Sequence, residues 1–321
     1  MKYIYGMKKI ITYLKNFLRS DFSAGYYLTV LLILVGGYVI NYGFHFKQLQ
    51  LDAYYGTTEQ FFRFLVFFSS VYFLILLVQA IWKKDYSAFK NKSYLLKISI
   101  ALILLAFDSS SRHIFQWLTS TFDFPWELQR WFFYLFTSAH QFINLGVLMF
   151  ILKYIFDRYE SSVYGLTLRN FDVKPYFTML LFMLPLIVWA SFQSDFLRSY
   201  PIYKDNFELV SEYISPWKAV AGFEFTYAFR FVAVELFFRG FLIIGMVKLI
   251  GERAIMPMVV LYSFWHFGKP LPESIGAAFG GYILAIIALR TRSVFGGIIV
   301  HIGVAMMMEA GAYINLYLLN D

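Results

Sequence analysis

The sequence predicts an all-α fold, a polytopic transmembrane helix bundle of about nine spans (eight as the alternative), with an amphipathic helix in the membrane interface at its N-terminus. Three observations predict it. Hydrophobic residues make up 60% of the 321-residue chain and charged residues 15%, against about 25% charged in a soluble domain. Several apolar runs reach the roughly 20 residues that a helix needs to cross hydrocarbon. Lys and Arg collect at the ends of alternate runs, as the positive-inside rule requires. The net charge of +8 is therefore read as topology and not as a nucleic-acid footprint. The absence of cysteine excludes disulfides and thiolate nucleophiles or ligands.

Residues 1–20, MKYIYGMKKIITYLKNFLRS, put Ile4, Met7, Ile11, Leu14 and Leu18 on one helical stripe, with Lys8, Lys9, Lys15 and Arg19 mostly off it. That is the pattern of a basic helix lying on an anionic membrane surface. No small-residue cleavage site follows at signal-peptide distance, so the segment is expected to be retained. The spans predicted after it cover about 26–45, 64–82, 95–118, 131–154, 176–193, 219–247, 254–267, 274–290 and 294–318. Lys83, Lys84, Lys90 and Lys92 follow the second, Lys153, Arg158, Arg169 and Lys174 the fourth, Lys248 and Arg253 the sixth, and Arg290 and Arg292 the eighth. The opposite loops carry acids such as Asp52, Glu59, Asp123, Glu127, Asp195, Asp205, Glu208 and Glu212. A multi-pass protein of the plasma (inner) membrane follows, with a cytoplasmic N-terminus and a non-cytoplasmic C-terminus. Residues 21–160 form one bundle of four spans and residues 161–321 a second unit of five, with Glu160–Lys174 in the interface and 194–216 facing outward.

Charges inside the spans carry the functional reading, because an ionisable group at the bilayer centre costs roughly 2.5–3.5 kcal/mol on insertion scales. Asp108 and Arg112, four apart in the third span, have the spacing of a structural ion pair. Asn41, His45 and His140 are read as packing or span-end residues. The sixth span carries Glu224, Ala228, Glu235 and Arg239 on one stripe, with Glu235 and Arg239 an i,i+4 pair. The seventh ends in His266-Phe267-Gly268-Lys269-Pro270-Leu271-Pro272-Glu273, where two prolines and a glycine break the helix and Glu273 opens the next. At 1.5 Å per residue, Glu235 and His266 lie roughly 18 Å from the cytoplasmic ends of their spans, Glu309 about 22 Å and His301 about 10 Å. Two His and buried carboxylates at similar depth suit a metal site or a carboxylate-activated water, and Gly240, Gly268, Gly303 and Ala305 let the helices approach closely. The plainer reading of Glu235 and Arg239 is a salt bridge within the helix.

In spacing and order these residues resemble the CAAX-protease and bacteriocin-processing intramembrane proteases (the CPBP or Abi family). Val234-Glu235-Leu236-Phe237-Phe238-Arg239-Gly240 matches in part their Glu-Glu-x-x-x-Arg helix, Tyr262-Ser263-Phe264-Trp265-His266 their Phe-x-x-x-His, and His301-Ile302-Gly303-Val304-Ala305 their His-x-x-x-Asn. The likeness covers about residues 165–310. It implies an endopeptidase that hydrolyses a peptide bond of a membrane-associated peptide or protein. The family's first Glu, which activates water with the second-motif His, falls on Val234, and its Asn, an oxyanion donor with the third-motif His, on Ala305. A one-residue shift turns a side chain by about 100°, so Glu235 does not simply replace residue 234.

The residues expected to carry catalysis are therefore Glu235 or Glu273 as base, His266 as its partner, His301 as oxyanion donor or second ligand, and Arg239 to orient Glu235. The cofactor is either none or one divalent metal, zinc first, held by His266, His301 and Glu235, with Glu273 and Glu309 as further candidate ligands. The family's mechanism does not require a metal. Two rivals stand beside this reading. One is a catalytically silent relative, a membrane binding or immunity-like protein. The other is a small-molecule or ion transporter using the broken seventh and eighth spans.

Overall fold

The computed structural model describes residues 2–122, 125–169, 171–204 and 210–319. Among them the regular structure is helical, with no strand. The opening basic helix is α1 (Lys2–Asp21). It buries Ile10 and Phe17 and leaves Lys8, Lys9 and Lys15 exposed, but Ile11 and Leu18 of the expected stripe are exposed as well, so the face packed on the protein is not the predicted one. Five further helices are long and apolar enough to cross a membrane: α2 (Ala24–Gly43), α3 (Thr58–Lys83), α6 (Trp126–Phe156), α10 (Leu271–Thr291) and α11 (Phe295–Leu319). Many of their large apolar side chains are exposed, Leu32, Val66 and Phe279 among them, which is where lipid replaces protein as the solvent. This is an integral membrane protein.

A sixth crossing is formed if α4 (Lys92–Ser109) and α5 (Arg112–Thr121), bent by 51° at their junction, count as one span. The nine expected spans thus divide into five that meet length and composition together and four that do not. Besides the bent pair, α7 (Lys174–Ala190) is a 17-residue apolar helix, α8 (Pro216–Glu235) carries charges in its apolar face, and α9 (Ile255–Trp265) has 11 residues.

One expectation is overturned. Asp108 and Arg112 form no ion pair, because the helix breaks at Ser110 and Ser111 between them. The bend sends Arg112 among the rings of Tyr55, Phe115 and Phe133, the last at 4.2 Å. Asp108 instead accepts a hydrogen bond from Gln141 (2.7 Å) and faces His140 Nδ1 at 3.5 Å. An i,i+4 pairing needs an unbroken helix, and this one ends too soon.

Helix α8 organises the second half. It packs against α6 and α11, and beyond Glu235 it continues as a π-helical stretch, Leu236–Ile244, which packs on α10. Every residue from Ala233 to Ile243 is buried. Gly240 lies in that stretch because a Cβ there would meet the Tyr164 carbonyl at 2.8 Å. Single π turns inside helices are rare and recur at functional sites.

Candidate active site

Glu235 is fully buried at the junction of the α and π segments, and it gathers the site. Its Oε1 accepts from Arg239 NH1 at 2.9 Å and from His301 Nδ1 at 2.9 Å. The Arg239 guanidinium is itself buried and stacks over the Tyr262 ring at 4.1 Å. A planar cation sandwiched between a carboxylate and an aromatic face is the arrangement for which Arg is suited and Lys is not. Both the salt-bridge expectation and the expectation that Arg239 orients Glu235 describe this contact.

Gly297, one helical turn before His301, is the residue that lets α11 reach Glu235. A Cβ at Gly297 would land on the Glu235 Oε2 atom. That oxygen has no hydrogen-bond partner and is buried. On the other side, Phe231 lies against His301 with ring centroids 4.3 Å apart. His301 is thus fixed by a carboxylate at one edge and a ring on its face.

His266 stands just past the end of α9, beside Tyr262 (ring centroids 4.5 Å), whose ring is also 6.3 Å from His301. Its Nδ1 is 2.8 Å from the Tyr262 carbonyl. A carbonyl can only accept, so Nδ1 carries the proton and Nε2 presents its lone pair. Tyr262 therefore joins Arg239, His266 and His301 around one ring.

The other two candidate carboxylates do different work. Glu273 accepts from the Tyr200 hydroxyl through both oxygens (2.9 and 2.8 Å), and Lys269 donates to the same hydroxyl at 2.9 Å. Glu309 accepts from the Ile202 backbone N–H at 3.0 and 3.2 Å. Together they strap residues 200–204 across this end of the helices, with Tyr200 and Tyr203 fully buried and Tyr313 donating to the Tyr203 carbonyl at 2.6 Å. No hydrogen bond links Glu273 or Glu309 to Glu235, His266 or His301.

The metal set suggested by sequence does not fit this arrangement. Among the described residues no three His or carboxylate side chains converge on one point. Glu235, the central candidate ligand, holds the Arg239 cation and the His301 N–H on one oxygen, and its second oxygen is walled by Gly297. No chemical step is therefore drawn through a metal.

Sequence reasoning passed over Gly297, Tyr262 as a platform, and Tyr200. The first had a signal, since i,i+4 spacing puts Gly297 on the face of His301. Tyr200 had none, because its contact with Glu273 joins residues 73 positions apart. No curated protein and no solved structure matches the chain. Residues 216–307, from the start of α8 into α11, match the family model described as type II CAAX prenyl endopeptidase Rce1-like. That stretch, which holds Glu235, Arg239, His266 and His301, is similar to the CAAX-protease and bacteriocin-processing family that the motifs resemble.

Proposed function

We propose that the chain is an intramembrane endopeptidase that hydrolyses a peptide bond of a membrane-associated peptide or protein with a His-activated water. The observation that carries this reading is the pair of oriented imidazoles, each with Nδ1 committed (His266 to a carbonyl, His301 to Glu235) and Nε2 left for chemistry. A water held at His266 loses its proton to Nε2 as its oxygen attacks the carbonyl carbon. His301, which takes a proton from bulk water at Nε2 before the attack and keeps it afterwards, is an imidazolium backed by the Glu235 carboxylate and donates to the oxyanion. The C–N bond then breaks, and His266 returns its proton to the leaving nitrogen. Arg239 holds Glu235 in place. Val234 and Ala305 remove the family's carboxylate base and amide donor, so the two imidazoles share both roles. With α4–α5, α7, α8 and α9 counted as crossings, the chain makes nine passes, its N-terminus cytoplasmic and its C-terminus outside. Helix α1 then lies on the cytoplasmic surface of the plasma (inner) membrane.

The test is cleavage of lipid-anchored fluorogenic peptides in proteoliposomes, with the cut located by mass spectrometry. Wild type is expected to cleave, and His266→Ala to be folded and inactive. Val234 and Ala305 favour one rival, a silent family relative that acts as a membrane binding or immunity-like protein. That rival is selected if folded wild type cleaves nothing across the peptide set.

A further inference from the structure

His266 stands in the turn that joins α9 to α10. Its own N–H donates to the Ser263 carbonyl (3.1 Å), and its carbonyl accepts the Lys269 N–H (2.9 Å). Pro270 and Pro272 have no N–H to give, so the turn has few backbone bonds of its own. Side chains complete it. The fully buried Ser274 places its hydroxyl 2.8 Å from the His266 carbonyl, and the fully buried Ser263 places its own 2.9 Å from the Ser274 carbonyl.

Both serines are reached by tyrosines of α2, a helix that lies outside the stretch matched by the family model. The Tyr38 hydroxyl is 2.7 Å from Ser263 Oγ and 3.2 Å from the Ser274 carbonyl. The Tyr42 hydroxyl is 2.6 Å from Ser274 Oγ and 2.8 Å from the Lys269 carbonyl. In each pair two hydroxyl hydrogens serve three contacts, so the bonds run from tyrosine through serine to a carbonyl, or from serine through tyrosine to one. Either direction ties the turn to α2.

Two features single these hydroxyls out. Tyr38 and Tyr42 are four apart and share one face of α2, while the buried residues of that helix are only Tyr26, Val30 and Asn41. A phenylalanine would make the same edge-on contacts with Phe264 and Phe267 (6.1 to 6.3 Å). What it would lack is the hydroxyl, whose partners at both positions all lie within residues 263–274. Gly37 brings α2 this close, since a Cβ there would meet the Phe264 ring at 2.2 Å.

We propose that Tyr38 and Tyr42 are positioning residues for His266. Acting through Ser263 and Ser274, they fix the turn so that the imidazole keeps Nδ1 on the Tyr262 carbonyl and Nε2 free for chemistry. The catalytic meaning rests on the peptidase reading, under which a base displaced by about 1 Å loses about 10²-fold in rate. The state of the ring itself is measurable without turnover.

Full-length protein with ring-¹⁵N histidine, in phosphatidylcholine nanodiscs, is examined by magic-angle-spinning NMR, the His266 signals being those lost in His266→Ala. Wild type is expected to show His266 as a single Nδ1–H tautomer. Tyr42→Phe and Ser274→Ala should each turn it into a mixture, leave the His301 signals in place, and lower kcat at least tenfold with KM unchanged. Tyr38→Phe, read in the same way, serves if Ser274→Ala fails to fold. Tyr27→Phe is the control for general loosening, because it removes a hydroxyl of the same helix that bonds Asp21 and Tyr282 instead. An unmoved His266 ring in either variant overturns the proposal, whatever happens to turnover. So does a wild-type ring that is already a mixture, an equal change in Tyr27→Phe, or a kinetic change confined to KM. A ring disturbed by Tyr42→Phe in a protein whose wild type cleaves no peptide overturns the peptidase reading and leaves the positioning intact.

Discussion

His301 donates its Nδ1 proton to the same Glu235 oxygen that Arg239 holds, each at 2.9 Å. One buried carboxylate oxygen therefore links two helices, α8 and α11, and ties an imidazole to a buried cation. Under the proposed function stability and catalysis meet on a single atom, and substitutions can pull them apart.

Glu235→Gln keeps the shape and removes the charge. Arg239 is then a buried cation with no counter-charge, a defect that costs about 3–5 kcal/mol. Arg239→Met leaves the opposite defect. The double variant Glu235→Gln with Arg239→Met should be more stable than the sum of the two losses predicts. Thermal unfolding in detergent of the four proteins measures the coupling. Additive losses would show that the pair contributes nothing.

Gly297→Ala should be as harmful as a change to the charged residues. The added methyl would come within 2.1 Å of the Glu235 Oε2 atom, so either α11 moves out or the carboxylate turns away from His301. Overpacking of this kind costs about 1–3 kcal/mol, and turnover should fall with the His301 contact. Gly276→Ala, where a Cβ meets nothing within 4 Å, is the control and should be neutral in both assays.

His266→Ala and Glu273→Gln should separate sharply. Loss of a positioned general base lowers turnover by about 10²–10⁴-fold, and His266→Ala should show that with an unchanged melting temperature. Glu273→Gln weakens the bonds to Tyr200 and should retain turnover within an order of magnitude while exposing the 200–204 segment to protease. If Glu273→Gln were the inactive variant, Glu273 would be the base.

Chelation should not matter. Glu235 Oε1 is held by Arg239 and His301 and Oε2 is walled by Gly297, so dialysis against a strong divalent chelator is expected to leave peptide turnover and melting temperature unchanged. A loss restored by added zinc would require a different arrangement of His266 and His301 from the one described.

Much of this was legible in the sequence, for physical reasons. Glu235 and Arg239 are neighbours because helix geometry makes them so, and their depth in an apolar run marks them as paired. His266 and His301 were visible as the rare ionisable groups of their spans. Asp108 and Arg112 misled for the converse reason, because a helical spacing says nothing once two serines end the helix between them. The strap was illegible, since Tyr200 meets Glu273, and Ile202 meets Glu309, across 73 and 107 positions. Gly297 lay in between. It carries a local signal, but its meaning depends on which side chain the next helix brings opposite.

The strap of residues 200–204 is held to Glu273 and Glu309 through Tyr200 and Ile202, and Phe237, Phe238 and Phe241 are fully buried after Glu235. Under the proposed function the substrate is itself held by the bilayer. A substrate that arrives sideways is counted per unit area of bilayer and not per volume of cytosol. Its turnover would follow its surface density and its residence in the leaflet, so that dilution of the lipid phase, with bulk concentration held constant, would act as a competitive inhibitor does.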